Sequence, residues 1–290
     1  MSCEHPAWEK VLWKIQPFPD NYIPQGAFLS SLRKNPNFKP YTYWPLVHLS
    51  TAITQHLATI FIFLSIFVRL KNHSLDARVL IFVSLGCFLL GYFIWQVFCQ
   101  RGSKLDERRY LDLIKTLKSS ILITLALMSL SPVLRTLSAA TSSDSIWALS
   151  ACLFLLNVVL ADYGSANKGS PERLTSVLSM NAAISSSVVL ASRLSNDLAV
   201  FALIQFSVQS FTLYPMLRRR LRSFPVQATL TLFLSILSLV LAAPLSATIA
   251  YFFLLVLLAV TFLAPALLVW AQKYKNEIRG PWDVAVPKVN

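Results

Sequence analysis

"LVLAAPLSATIAYF" (Leu239–Phe252) carries no charge and lies inside an apolar stretch running from residue 226 to residue 272. Whether the chain turns there decides how often it crosses a membrane. A bilayer core takes about 20 helical residues at about 1.5 Å each. Pro244 and the small polar residues Ser246 and Thr248 are the only turn signals. They predict two spans, Val226–Ser246 and Ala247–Gln272, with a re-entrant pair as the alternative.

The rest of the chain supports the same class. Of 290 residues, 55 % are hydrophobic and only 13 % charged, where a soluble domain has about a quarter charged. Six further apolar segments precede the pair: Leu49–Leu70, Val79–Phe98, Ser119–Leu137, Ser145–Ala161, Leu174–Leu194 and Leu198–Leu217. The expected fold is therefore an all-α, polytopic membrane bundle of about eight helices. It divides into a segment 1–47, a membrane domain 48–272 and a tail 273–290. The first 47 residues contain no apolar signal-peptide core, so the first span is expected to act as the targeting signal.

Charge orients the bundle. With both termini and alternate loops on one side, most of the 26 Lys and Arg fall on that side, which predicts cytosolic N- and C-termini. The net charge of +13 is then largely a property of the cytosolic face. There "RGSKLDERRYLDLIKTLK" and the run Arg218, Arg219, Arg220 and Arg222 would meet anionic lipid. Nucleic-acid binding is a poor fit, because no basic surface belongs to a soluble fold.

Catalytic apparatus is hard to find. The outward loops offer one carboxylate each, Asp76, Asp144 and Asp197. There is no D-x-D, no glycine-rich phosphate loop and no soluble segment large enough for a nucleotide-sugar domain. His48 and His56 lie about 12 Å apart along one helix and read as packing residues. Cys3, Cys87, Cys99 and Cys152 show no paired or zinc-like spacing. The expectation is no catalytic residue, no metal and no cofactor. Within the spans the polar residues are amides, Gln55, Asn157, Asn181, Gln205 and Gln209, which suit interhelical hydrogen bonds. Pro132, Pro215 and Pro265 fall near helix ends. A subunit of a larger assembly, a lipid binder and a transporter all remain open on these residues.

Six short stretches narrow the choice. "QPFPDNY" (Gln16–Tyr22) precedes the first span. "SPVLRTL" (Ser131–Leu137), "DYG" (Asp162–Gly164), "ASRL" (Ala191–Leu194) and "LYPML" (Leu213–Leu217) end the third to sixth spans, and "RGPWD" (Arg279–Asp283) follows the last. In this order and spacing the chain resembles the PIG-C family, a subunit of phosphatidylinositol N-acetylglucosaminyltransferase. The resemblance implies a complex at the endoplasmic reticulum membrane. That complex moves N-acetylglucosamine from UDP-N-acetylglucosamine to phosphatidylinositol, the first step of glycosylphosphatidylinositol anchor synthesis. It also implies that a different, catalytic glycosyltransferase subunit performs the sugar chemistry. This chain would then scaffold partners and help present the lipid. A free-standing lipid transporter or scramblase is the alternative.

Two sets of residues are candidates within that reading. Trp8, Val11, Leu12 and Ile15 follow helical spacing. Pro17 and Pro19 then stop a helix, and Asp20 and Asn21 favour a turn. Trp8, Leu12, Phe18, Asp20, Tyr22 and Trp282 are the expected partner-docking residues. The acceptor headgroup is anionic and transfer is cytosolic, so Arg218, Arg219, Arg220 and Arg222, with Asp162 and Tyr163, are the expected lipid-binding rim.

Overall fold

A computed structural model describes residues 15–19, 22, 33–34, 40–99, 106–136, 141–163, 174–221, 223–274 and 278–279. Trp8, Leu12, Asp20, Arg222 and Trp282 lie outside the described residues, as does the expected helix at Trp8–Ile15 apart from its last residue. The helices in chain order are α1 (Tyr43–Lys71), α2 (Ala77–Cys99), α3 (Asp106–Thr136), α4 (Ser143–Leu160) and α5 (Leu174–Ala191). They continue with α6 (Asp197–Arg220), α7 (Phe224–Ala242) and α8 (Ala247–Tyr274). All but α5 are long and apolar enough to cross a membrane. The eight expected segments are thus present as helices in the expected order, with α5 the short one. Its apolar stretch Ser176–Ala191 is shorter than a full span.

The chain does turn at Pro244. The α7 helix ends at Ala242 and α8 begins at Ala247, with Leu245 and Ser246 N–H groups closing the turn on the Ala242 carbonyl. Pro215 and Pro265, by contrast, do not end their helices. Each follows a single wide π turn, Gln209–Leu213 in α6 and Ala259–Leu263 in α8. A proline removes an N–H and crowds the carbonyl four residues back. Letting the N–H of Tyr214 reach Gln209 O, and that of Ala264 reach Ala259 O, shifts the ladder just ahead of the ring and keeps the helix continuous.

The backbone forms two units. One comprises residues 1–43 and 266–290. Within it Arg33–Lys34 (β1) pairs antiparallel with Ile278–Arg279 (β2). Tyr41 N–H donates to Gln272 Oε1 at 2.8 Å, and Gln272 Nε2 donates to Tyr41 O at 2.9 Å. In the N-terminal segment the Tyr22 N–H donates to Pro19 O at 2.8 Å, the expected turn, and the Phe18 and Tyr22 rings stack 4.5 Å apart.

The second unit, residues 44–265, is organised around α1, whose apolar window is 61 % buried, the highest share of any span. Phe63 and Phe67 are almost fully enclosed. Phe63 meets Phe154 of α4 and Phe206 and Phe211 of α6, while Phe67 meets Trp147 of α4. Phe61 stacks flat on Phe253 of α8 at 3.9 Å. In lipid no hydrophobic effect draws helices together, so shape-matched packing and interhelical hydrogen bonds carry the association. The α1 helix supplies both. Its polar face holds Ser50, Thr54, Gln55 and Thr59, all buried, and Thr54 shares a 2.8 Å bond with Thr261 of α8.

Candidate functional site

At the end of the second unit where α4 and α6 terminate and α5 and α7 begin, polar groups converge on a cavity of about 160 Å³. Its lining includes His56, Asn157, Asp162, Ser176, Arg218 and Arg219. The charge count of the sequence predicts that this end is the cytosolic one.

The cavity wall is built by two hydrogen-bond networks. In the first, Asn157 Nδ2 donates to the Ser179 carbonyl and hydroxyl, each at 2.9 Å. This turns Asn157 Oδ1 toward His56 Nε2, 2.7 Å away. An amide oxygen only accepts, so Nε2 carries the proton. His56 Nδ1 lies 2.8 Å from the Tyr163 hydroxyl, and a neutral ring accepts there. Val158 O, 3.0 Å from the same hydroxyl, competes with Nδ1 for its single proton. Burial pushes the Tyr163 phenol up to about 12, against a smaller lowering by Arg218, so it stays a hydrogen-bond donor at neutral pH.

The second network orders the end of α6. Gln55 is fully buried. Its Nε2 approaches Gln227 O, Gln227 Oε1 and Thr231 Oγ1 at 2.8–3.1 Å, and its Oε1 accepts from the Tyr214 hydroxyl at 2.9 Å. Gln227 Nε2 in turn donates to the carbonyls of Arg218 and Leu221. These are orphan acceptors of a helix C-terminus. The last turn of α6 is thereby tied to α1 and α7. Arg218 Nη1 then donates to Ala52 O at 2.6 Å, and Arg219 Nη2 to Ser176 Oγ at 3.1 Å.

Of the expected rim, the structure therefore brings together Arg218, Arg219 and Asp162 around one cavity, with Tyr163 behind His56. Arg220 is not part of it. Its guanidinium lies over the Trp95 ring of α2 at 4.5 Å, because consecutive helical residues point about 100° apart. Of the docking residues, Phe18 and Tyr22 form the stacked turn already described. His56, expected to be only a packing residue, lines the cavity and joins α1 to α4. Its signal in the sequence was its place on the same helix as Gln55, one step from an amide already suspected. Ser176 and Gln227 gave no signal, and Tyr214 stood out only as part of the stretch Leu213–Leu217. Gln205 Oε1 and Gln209 Nε2, expected to bond across helices, are buried without a partner among the described residues. Among those residues no three His, Cys, Asp or Glu side chains converge on a common point.

Comparison with known proteins gives one consistent result. The family model described as "GPI2: Phosphatidylinositol N-acetylglucosaminyltransferase" matches residues 8–283. The phosphatidylinositol N-acetylglucosaminyltransferase GPI2 subunit of Schizosaccharomyces pombe is 38 % identical over 285 residues, 97 % of this chain and 87 % of the relative. A phosphatidylinositol N-acetylglucosaminyltransferase subunit of Homo sapiens is 34 % identical over 284 residues, 96 % of this chain and 92 % of the relative. Its counterpart of the same name in Bos taurus is 35 % identical over 285 residues, 96 % and 92 % of the two chains. No solved structure matches.

Proposed function

The chain belongs to the GPI2 family of phosphatidylinositol N-acetylglucosaminyltransferase subunits, and from that membership we propose that it is the membrane subunit that holds phosphatidylinositol for a separate catalytic subunit. The transfer from UDP-N-acetylglucosamine then takes place at the cytosolic face of the endoplasmic reticulum membrane, with both termini of this chain on that side. The observation that carries the lipid role is the convergence of Arg218, Arg219 and Asp162 on one cavity at a helix-bundle end. A phosphodiester needs cationic donors, and guanidinium groups present several N–H donors in a fixed fork. The cavity lies at the ends of spans, the depth at which a headgroup rests while its acyl chains stay among the helices. The turn at Phe18–Tyr22, together with Trp8, Leu12, Asp20 and Trp282, is the surface we assign to partner subunits.

The test is the assembled complex carrying Arg218→Gln and Arg219→Gln together. Charge is lost while length and polarity remain. The apparent affinity for phosphatidylinositol should fall, with the make-up of the complex and the KM for the nucleotide sugar unchanged. An intact complex with an unaltered lipid dependence would return these arginines to a purely topological role.

A further inference from the structure

Four of the five amides expected to bond across helices turn inward. Gln55 and Asn157 bond to neighbouring helices, and Gln205 and Gln209 each bury an amide atom in the packed interior. Asn181 of α5 differs. It is exposed, and its side chain has no hydrogen-bond partner among the described residues. Ser185, one helical turn further along, is likewise exposed and its hydroxyl is equally without a partner among those residues.

Depth decides what this means. The α4 and α5 helices run antiparallel, tied by Ser179 to Asn157 and by Ser186 to Ser150. These two pairs set Asn181 level with Leu155 and Ser185 level with Ala151. Counted from Leu160, where α4 ends, they lie about 8 Å and about 14 Å along the helix axis, at hydrocarbon depth. A short amide has no stem with which to reach the interface, as Lys and Arg do, and acyl chains offer it no partner. It carries two N–H donors and an acceptor oxygen, and leaving them unmet in hydrocarbon is costly. Other outward faces show the contrast. Phe82 and Leu89 of α2 and Leu232 and Ile236 of α7 are exposed apolar side chains, which suit lipid. Ser129 of α3, exposed too, satisfies its hydroxyl on Ala126 O of its own helix.

We infer that the Asn181–Ser185 face of α5 docks a transmembrane helix of another subunit, one that presents a hydrogen-bonding side chain such as Ser, Thr, Asn or Gln at the level of Asn181. The inference rests on the reading that this chain works as a membrane subunit of an assembly. In lipid, helices associate through close packing and interhelical hydrogen bonds, and this face offers both. Asn181 supplies donors and an acceptor. Ser185 is small enough for a partner backbone to approach closely. Val177 and Leu178, exposed by 37 % and 49 %, add apolar contact beside the amide. The α5 helix is also the one whose apolar stretch is too short for a full span, so it gains most from cover by protein.

The experiment uses the full-length chain co-expressed with the other subunits of the transferase. A benzophenone amino acid placed at Leu178 or at Ser185 leaves Asn181 intact. Irradiation in native membranes should join both positions to the same partner subunit, with the adduct mapping to a transmembrane helix that carries a polar side chain. Asn181→Leu should weaken retention of that subunit in a detergent titration by about three- to twentyfold, the scale of one interhelical hydrogen bond in lipid. Asn181→Gln should keep most of it. The Asn181→Leu chain purified alone should unfold at an unchanged or higher temperature, because a side chain compatible with lipid replaces an exposed amide. A destabilised isolated chain would make Asn181 an internal structural residue and overturn the inference. Adducts only with lipid or with a second copy of this chain overturn it, as does a complex indifferent to Asn181→Leu. If the wild-type chain retains no other subunit, the subunit reading itself fails, and the inference with it.

Discussion

Replacing Gln55 by Leu would preserve roughly the volume of a fully buried side chain and delete the polar node joining α1, α6 and α7. The Gln55 amide has two protons facing three acceptors, so two full bonds are the most it donates, and it accepts one from Tyr214. Interhelical hydrogen bonds in lipid are worth about 0.6 kcal/mol on average and about 1.7 at most. Three of them give about 2 kcal/mol, before the added cost of leaving the Tyr214 hydroxyl against a methyl group. Thr231 is spared, since its hydroxyl still donates to Gln227 O. At about 2–4 °C per kcal/mol for a chain of this order of size, thermal unfolding in detergent should begin about 5 °C lower. Intrinsic fluorescence or size-exclusion after heating would read it. Gln227→Leu should be destabilising too, through its bonds to the end of α6. The double variant should lose about 1 kcal/mol less than the sum, because the partners share one interaction. A shift below about 1 °C in Gln55→Leu, or strict additivity of the pair, would refute the network as the element that holds the last turn of α6.

Two further outcomes follow from single residues. Arg220 rests on Trp95 and not in the cavity, so Arg220→Gln should leave the lipid KM of the complex unchanged where Arg219→Gln raises it; equal effects would show that the face of the basic run had been misassigned. The Tyr163 phenol, pushed up to about 12 by burial, stays neutral in the folded chain after an unfolded chain, at about 10, has ionised. The folded state then binds the extra proton between those values, so stability is fully present below about pH 10 and declines as pH rises toward 12. Tyr163→Phe should remove that alkaline decline. A difference absorbance titration, wild type minus variant, should place the lost phenol near 12, and a midpoint near 10 would contradict its burial.

Length and apolar composition were enough to place the helices, because a bilayer demands about 20 apolar residues per crossing whatever the fold. Pro244 marked the α7–α8 turn for the same local reason. The charge asymmetry pointed to an orientation, and the run at Arg218 with Asp162 pointed to one end of the bundle. Short stretches in order were enough to name the family. Which helix lies at the centre was not legible. In lipid a span is apolar on every side, so the 3.6-residue periodicity that marks a buried face in water is largely absent. Only packing shows α1 to be the core. Pro215 looked like a helix end and instead follows a π turn, which depends on how the backbone accommodates the ring. The same turn leaves Thr212 without its usual carbonyl, and the 100° step between residues sends Arg220 to Trp95 while Arg218 and Arg219 line the cavity. His56 and Tyr163 are far apart in sequence and meet only because α1 lies against the end of α4. Composition along one helix determines whether it crosses the membrane. Which of its side chains meet is set by rotation about the helix axis and by the neighbours it packs against, and these only the tertiary structure decides.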